Sequence, residues 1–199
     1  IACGNTFILK PSERVPLSAA KLIELLARTG LPAGVVTLLH GGRAAVEALC
    51  DHPEVRAVSL VGSSAVARQV YARAAASGKR AQCQGGAKNP VVLLPDADLE
   101  MTTQVLGDSA FGCAGQRCLA ASLVLAVGAA RARFLPALEA AARARVVGFG
   151  LEKGVETGPV ISAASQARIE QLIGAGVAEG ARVVVDGRGA RVADCEGGS

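Results

Sequence analysis

Apolar and polar residues alternate with two periods along the first half of this chain. "TFILK" (6–10), "GVVTLLH" (34–40) and "VRAVSLVG" (55–62) are short apolar runs of the kind that form buried strands. Between and after them lie stretches with apolar residues three and four apart. "PLSAAKLIELLARTG" (16–30) places Leu22, Ile23, Leu25 and Leu26 on one helical face, with Pro16 at its start and Gly30 as its stop. "RAAVEALCD" (43–51) predicts a short helix, and "SSAVARQVYARAAASG" (63–78) a longer one ended by Gly78. Strand and helix alternating through short loops predict a parallel sheet with crossover helices.

The second half continues in the same manner. Residues 88–112 predict a strand, a turn and a helix, with Asp96 or Asp98 as N-cap. "CLAASLVLAVG" (118–128) reads as a helix start running into a strand. Residues 129–147 read as helical around Pro136, and residues 162–187 as a helix followed by a strand. No repeat and no low-complexity segment interrupts this order.

Composition adds a few exclusions. With 51% hydrophobic residues and 24 glycines in 199 residues, a compact fold of one large or two small domains is expected. No apolar run reaches the roughly 18–20 residues of a membrane span. The net charge of +4 comes mostly from scattered arginines, not from a basic run interleaved with aromatics, so neither nucleic acid nor membrane is expected as a partner. Six cysteines and two histidines show no zinc-like spacing, so no metal is expected and the thiols are read as reduced. The chain opens on Ile1 rather than Met and ends in "DCEGGS", which leads us to expect that both ends are cut.

Four stretches carry candidate chemistry. In "SLVGSSAVARQVY" (59–71) a strand ends, Gly62 turns, and Ser63 opens a helix. Its free N–H groups and positive dipole end suit a phosphate, while the plainer reading makes Ser63 an N-cap only. In "LKPSER" (9–14) a strand delivers Lys10 to its carboxyl end, where α/β folds bind ligands. Lys10 suits ribose hydroxyls or a phosphate, and Glu13 can accept from a ribose; alternatively they are two charges in a solvated loop. In "FGCAGQRCLA" (111–120) small residues allow close approach to a ligand, and a helix start near Cys118 favours the thiolate there. Arg117 either adds positive potential or points to solvent, and Cys118 is equally readable as one more inert thiol. In "QCQGGAKNP" (82–90) Gly85, Gly86 and Ala87 form a small-residue turn between strands, with Lys88 and Asn89 capping the next one. Cys83 and Cys113 are read as small core residues, and His40 and His52 as surface or capping groups at element ends.

Taken together and in this order, the four stretches resemble the aldehyde dehydrogenase superfamily over the whole chain. "GNTFILKPSE" is similar to its adenosine-ribose segment, "VGSS" to its pyrophosphate turn, "GQRC" to its active-site motif, and "GGAKNP" to its Glu-Leu-Gly-Gly-Lys segment. "LKPSER", "HPEVRAVSLVGSS", "GAKN", "PDADLE" and "AGQRCLA" resemble the CoA-acylating methylmalonate-semialdehyde dehydrogenase subgroup in particular. The resemblance implies an α/β fold: residues 1–82 as the C-terminal part of a Rossmann-type NAD-binding domain, and 83–199 as part of an α/β catalytic domain, both incomplete. It implies Cys118 as nucleophile, and Lys10, Glu13, Arg14, Ser63 and Gly85 as contacts to NAD.

One departure matters for mechanism. The position of the family's catalytic glutamate holds Gln84, whose amide cannot take a proton from water. Water has a pKa of about 15.7, whereas a thiol lies near 8.5. A thiol co-substrate therefore needs no strong base to cleave a cysteine thioester. The resemblance thus implies oxidation of methylmalonate or malonate semialdehyde with NAD and coenzyme A, giving propionyl-CoA or acetyl-CoA and CO2. A hydrolytic enzyme for another aldehyde, or an inactive homologue acting as a binding protein, are the alternatives. The full-length protein is expected to be a homo-oligomer, dimer or tetramer, and the isolated chain to be inactive. The excess of Arg over Lys and the abundance of Ala suggest a bacterial cytoplasmic protein, or a mitochondrial-matrix one if eukaryotic.

Overall fold

The computed structural model describes residues 1–190 and 192. Two units are distinguished, Ile1–Gly86 and a second beginning at Ala87. In the first, β1 (Phe7–Leu9), α1 (Leu17–Ala27) and β2 (Val36–Leu38) form one parallel β-α-β unit, with Phe7 opposite Val36. After α2 (Arg43–Asp51), a second such unit follows: β3 (Ala57–Val61), α3 (Ser64–Ala76) and β4 (Arg80–Gln84). Its register runs from Ala57↔Arg80 to Val61↔Gln84. A parallel pair requires a crossover, and the amphipathic helices supply it.

The alternation read in the sequence decides which face is covered. In β3 and β4 every second residue is half-buried, Val58 and Leu60 in one strand and Ala81 and Cys83 in the other. The buried apolar side chains on these helices are Cys50 on α2 and Ala67, Val70 and Ala74 on α3. Burial pushes the thiols of Cys50 and Cys83 up, which suits packing rather than chemistry. A bidentate pair ties α2 to α3: Arg73 donates from Nε to Asp51 Oδ1 at 2.8 Å and from Nη2 to Oδ2 at 2.6 Å. Buried Lys79 donates to the carbonyls of His52 and Val55, fastening the loop between α2 and β3.

The second unit repeats the theme. β5 (Asn89–Leu93), α4 (Leu99–Phe111) and β6 (Ala121–Ala126) form a third parallel β-α-β, and α5 (Ala130–Arg143) and α6 (Ala163–Ala178) follow. Asp98 is the α4 N-cap, accepting from Met101 N at 2.8 Å. The core is Leu93, Ala130 and Phe134, with Ala97 and Leu138 against it. Arg145, largely covered, bridges Asp108 of α4 at 2.6 Å and Glu156 at 3.2 Å.

Three expectations need correction. The strand expected before residue 187 does not form: after α6, residues 181–187 are irregular. The apolar run "RVVV" reads as a strand, but a strand exists only where a partner satisfies its backbone, and none pairs with it among the described residues. No helix starts at Cys118 either; the chain turns there and enters β6 directly. Cys113 is exposed rather than packed in the core, because its backbone is turned outward into the left-handed region at φ 53°. Among the described residues, no helix is long and apolar enough to cross a membrane.

Candidate active site

The first unit positions five of the predicted residues in two groups. Lys10 follows β1, and its ammonium donates to Gly41 O at 2.7 Å and to Pro11 O, and pairs with Glu13 at 3.6 Å. Lys10 thereby ties the end of β1 to the loop that follows β2. Glu13 is exposed, and its carboxyl is held below its usual range by a backbone hydrogen bond and by the Lys10 charge. Arg14 is exposed and follows directly, its backbone N–H donating to Ser12 Oγ at 3.3 Å.

The second group surrounds the start of α3. Ser63 is the N-cap in extended conformation, its hydroxyl accepting from Val66 N at 3.4 Å. The N–H groups of Ser64 and Ala65 precede the first intrahelical bond and point out of the helix end. Ser64 Oγ accepts from Gly86 N at 3.0 Å. Gly85 is required here by space: a Cβ at this position would lie 3.0 Å from Ser64 Oγ and 3.1 Å from Ser64 Cα. The absence of a side chain lets the end of β4 lie directly against the helix start. Gln84, at the last position of β4, pairs with Val61, so the turn at Gly62 and the segment at Gln84–Gly86 leave adjacent strand ends. Among the described residues, no hydrogen bond or ion pair joins the Lys10 group to the Ser63 group.

Cys118 belongs to the second unit. Its side chain is exposed, as a nucleophile's must be. The segment leading to it leaves α4 at Phe111 and passes through three consecutive left-handed residues, Cys113 (φ 53°), Ala114 (φ 52°) and Gly115 (φ 70°). For Cys and Ala this conformation costs about 1–2 kcal/mol each, so the surrounding bonds must hold it. Gln116 does so by donating from Nε2 to Cys113 O at 3.0 Å and accepting from Ile161 N at 2.8 Å. Arg117 does not point free into solvent. It caps α4, donating from Nη2 to Asp108 O at 2.7 Å and Ser109 O at 3.2 Å.

The turn that carries Cys118 is closed by Ala120 N donating to Arg117 O at 3.0 Å. Asn89 Nδ2 donates to Cys118 O at 2.7 Å and to Ala120 O at 2.9 Å. Sequence reading took Asn89 for a strand cap and missed this reach. Its one signal was the Asn-Pro step at a strand start, which holds Asn89 extended and leaves position 90 without a donor. The loss of the expected helix start removes the dipole as a source of thiolate stabilisation at Cys118.

The chain matches the aldehyde dehydrogenase family over residues 1–198. It is 48% identical over 188 residues to the probable methylmalonate-semialdehyde/malonate-semialdehyde dehydrogenase (acylating), mitochondrial, of Dictyostelium discoideum, covering 94% of this chain and 35% of that protein. It is 48% identical over 203 residues to the malonate-semialdehyde dehydrogenase of Pseudomonas aeruginosa, covering all of this chain and 40% of that one. Its fold superposes with a TM-score of 0.93 on a crystal structure from Sinorhizobium meliloti 1021, assigned as a methylmalonate-semialdehyde dehydrogenase and complexed with NAD. The two are 43% identical, over 99% of this chain and 40% of that one. The chain thus spans about two fifths of the length of these relatives. With the family matched from end to end and its cysteine exposed on a braced turn, the chain belongs to the aldehyde dehydrogenase family.

Proposed function

We propose that the protein containing this chain oxidises methylmalonate or malonate semialdehyde with NAD and coenzyme A, releasing propionyl-CoA or acetyl-CoA and CO2. The observation that carries the reading is the 48% identity to dehydrogenases named for these semialdehydes, over a segment that includes the exposed Cys118. The start of α3 fits a dinucleotide. Gly85 lets the end of β4 pack directly on the first residue of α3, and the outward N–H groups of Ser64 and Ala65 suit a pyrophosphate. Lys10, Glu13 and Arg14 supply a cation, an ionised acceptor and a second cation for ribose and phosphate oxygens.

In this reading Cys118 gives up its thiol proton and Sγ attacks the aldehyde carbonyl carbon, forming a C–S bond. Bound NAD supplies the two-electron acceptor that turns this adduct into a thioester. The acyl group then stays on Cys118 and its β-carboxylate leaves as CO2; the electron pair of the broken C–C bond passes to the α-carbon as a thioester enolate, which takes up one proton. Gln84 takes no proton from water, so hydrolysis has no base at that position. The coenzyme A thiolate attacks the thioester carbonyl, the bond to Sγ breaks, and Cys118 leaves as thiolate. The protein is proposed to be a cytoplasmic homo-oligomer, dimer or tetramer. The test is product analysis of the full-length protein with semialdehyde and NAD. NADH and acyl-CoA should appear only when coenzyme A is present. Free acid formed at the same rate without it would refute the acylating step.

A further inference from the structure

We infer that Asn89 is a positioning residue for Cys118, its side-chain amide setting the direction in which the thiol leaves the main chain. The inference rests on the reading that Cys118 is the nucleophile. Both N–H bonds of one nitrogen are spent on this turn, one on Cys118 O and one on Ala120 O. They fix the Cys118–Leu119 and Ala120–Ala121 peptide planes, one at the nucleophile and one where the turn enters β6. Leu119 itself is 82% exposed, so no apolar side chain anchors the tip of the turn. On the other flank the chain is held in left-handed backbone that tends to relax. The amide is therefore the brace between a strained approach and a free tip.

The strand pairing explains why position 89 can do this. The register of β5 against β6 shifts between Asn89 and Pro90: Asn89 lies opposite Ala121, and Pro90 opposite Leu123. Pro90 has no N–H, and the N–H of Asn89 goes to Ser122 Oγ at 2.9 Å. The extra residue on β6 unzips the ladder at its first step and leaves the Asn89 side chain beside the carbonyls of the incoming turn. An amide suits that place because it is neutral and carries two donors. A carboxylate of the same shape would set an acceptor against two acceptors.

The test uses the full-length protein with Asn89→Asp and, since a charge could prevent folding, Asn89→Ala. Three quantities are read: kcat, the rate of Cys118 alkylation by iodoacetamide located by peptide mass mapping, and the affinity for NAD. Misplacing a reacting atom by about 1 Å costs on the order of a hundredfold, so kcat and the alkylation rate should both fall about ten- to a hundredfold. NAD affinity should stay within about twofold, because the amide touches only the turn. Asn89→Asp should regain part of its kcat as pH falls and the carboxyl becomes a donor, whereas Asn89→Ala should not. A folded Asn89→Asp or Asn89→Ala with unchanged kcat and alkylation rate overturns the inference. Cys118→Ser separates the two levels. If it is inactive while the Asn89 variants are normal, only the role of Asn89 fails. If it turns over normally, the nucleophile reading fails and the inference goes with it.

Discussion

Substituting Gly85 by alanine tests whether the contact between β4 and the start of α3 governs cofactor affinity. The new Cβ would stand 3.0 Å from Ser64 Oγ, 3.1 Å from Ser64 Cα and 3.4 Å from Ser64 Cβ. Carbon contacts are comfortable near 3.5–4.0 Å, so the helix start or the strand end must retreat by about half an ångström. Gly85 has no positive φ, so backbone strain adds nothing to this cost. Overpacking of this kind costs about 1–3 kcal/mol, and stretching the 3.0 Å bond from Gly86 N to Ser64 Oγ forfeits part of about 1 kcal/mol more. The half-buried position can yield, so we expect about 1–2 kcal/mol in stability. If the same displacement moves the first-turn N–H groups, the NAD dissociation constant rises about 5- to 30-fold. Urea unfolding and titration calorimetry with NAD on the full-length protein measure the two. Ser64→Gly removes the hydroxyl and Cβ but leaves Cα, so combined with Gly85→Ala it should recover about 0.5–1 kcal/mol of the loss. Strict additivity of the two changes, or unaltered NAD affinity in Gly85→Ala, would refute the packing argument.

Three further outcomes are expected. Ala114→Gly should raise the urea midpoint by a stability gain of about 0.5–1 kcal/mol, because relief of left-handed backbone outweighs the entropy of glycine, while Ala114→Val should lower it by more. Gln84→Glu should add CoA-independent release of free acid that grows as the new carboxyl ionises, measured by product chromatography across pH. Asp51 is held below its ordinary value of 3.8, first by the hydrogen bond from Arg73, against some desolvation. A depressed carboxyl contributes stability above its unfolded pKa, and that contribution is lost as pH falls through the folded one. Arg73→Ala should therefore flatten the acid side of the stability profile without changing the shape of its alkaline side.

Regular elements were legible where pattern and punctuation agreed. The α2 helix has the bounds read from "RAAVEALCD", and of the two carboxylates offered as caps before α4, Asp96 and Asp98, the second is the one used. The start of α3 was legible too, since Gly-Ser-Ser between a strand and a helical period admits little else. The turn around Cys118 was not. Its direction depends on Cys113 and Ala114 adopting φ above 50°, which no local preference of those residues announces. The Ala-rich sequence after Cys118 favours a helix in isolation, but β5 offers a pairing edge and Asn89 takes up the carbonyls that a helix would need. Contacts between residues 29 and 31 positions apart decide the matter, and no window along the chain contains them.

Cys118 follows a helix end and does not precede a helix start, so the carbonyls of that end, not free N–H groups, are what its approach segment must accommodate. The last carbonyls of a helix carry partial negative charge and oppose an anion nearby. The chain leaves α4 at Phe111 and reaches Cys118 through one 3-10 turn and a short loop, so the helix end and the turn are built as one segment. The carbonyls are not left bare. Arg117 occupies Asp108 O and Ser109 O, and the Thr157 hydroxyl reaches Phe111 O at 3.4 Å. A guanidinium on two terminal carbonyls puts a full positive charge where the helix would place about half a negative one. Arg117 thus acts on the turn through the helix end it covers, bonded to carbonyl oxygens. Both bonds come from Nη2 alone, so what Arg117 supplies to the helix end is one charged nitrogen shared between two carbonyls, with the rest of the guanidinium left over for the flank of the turn.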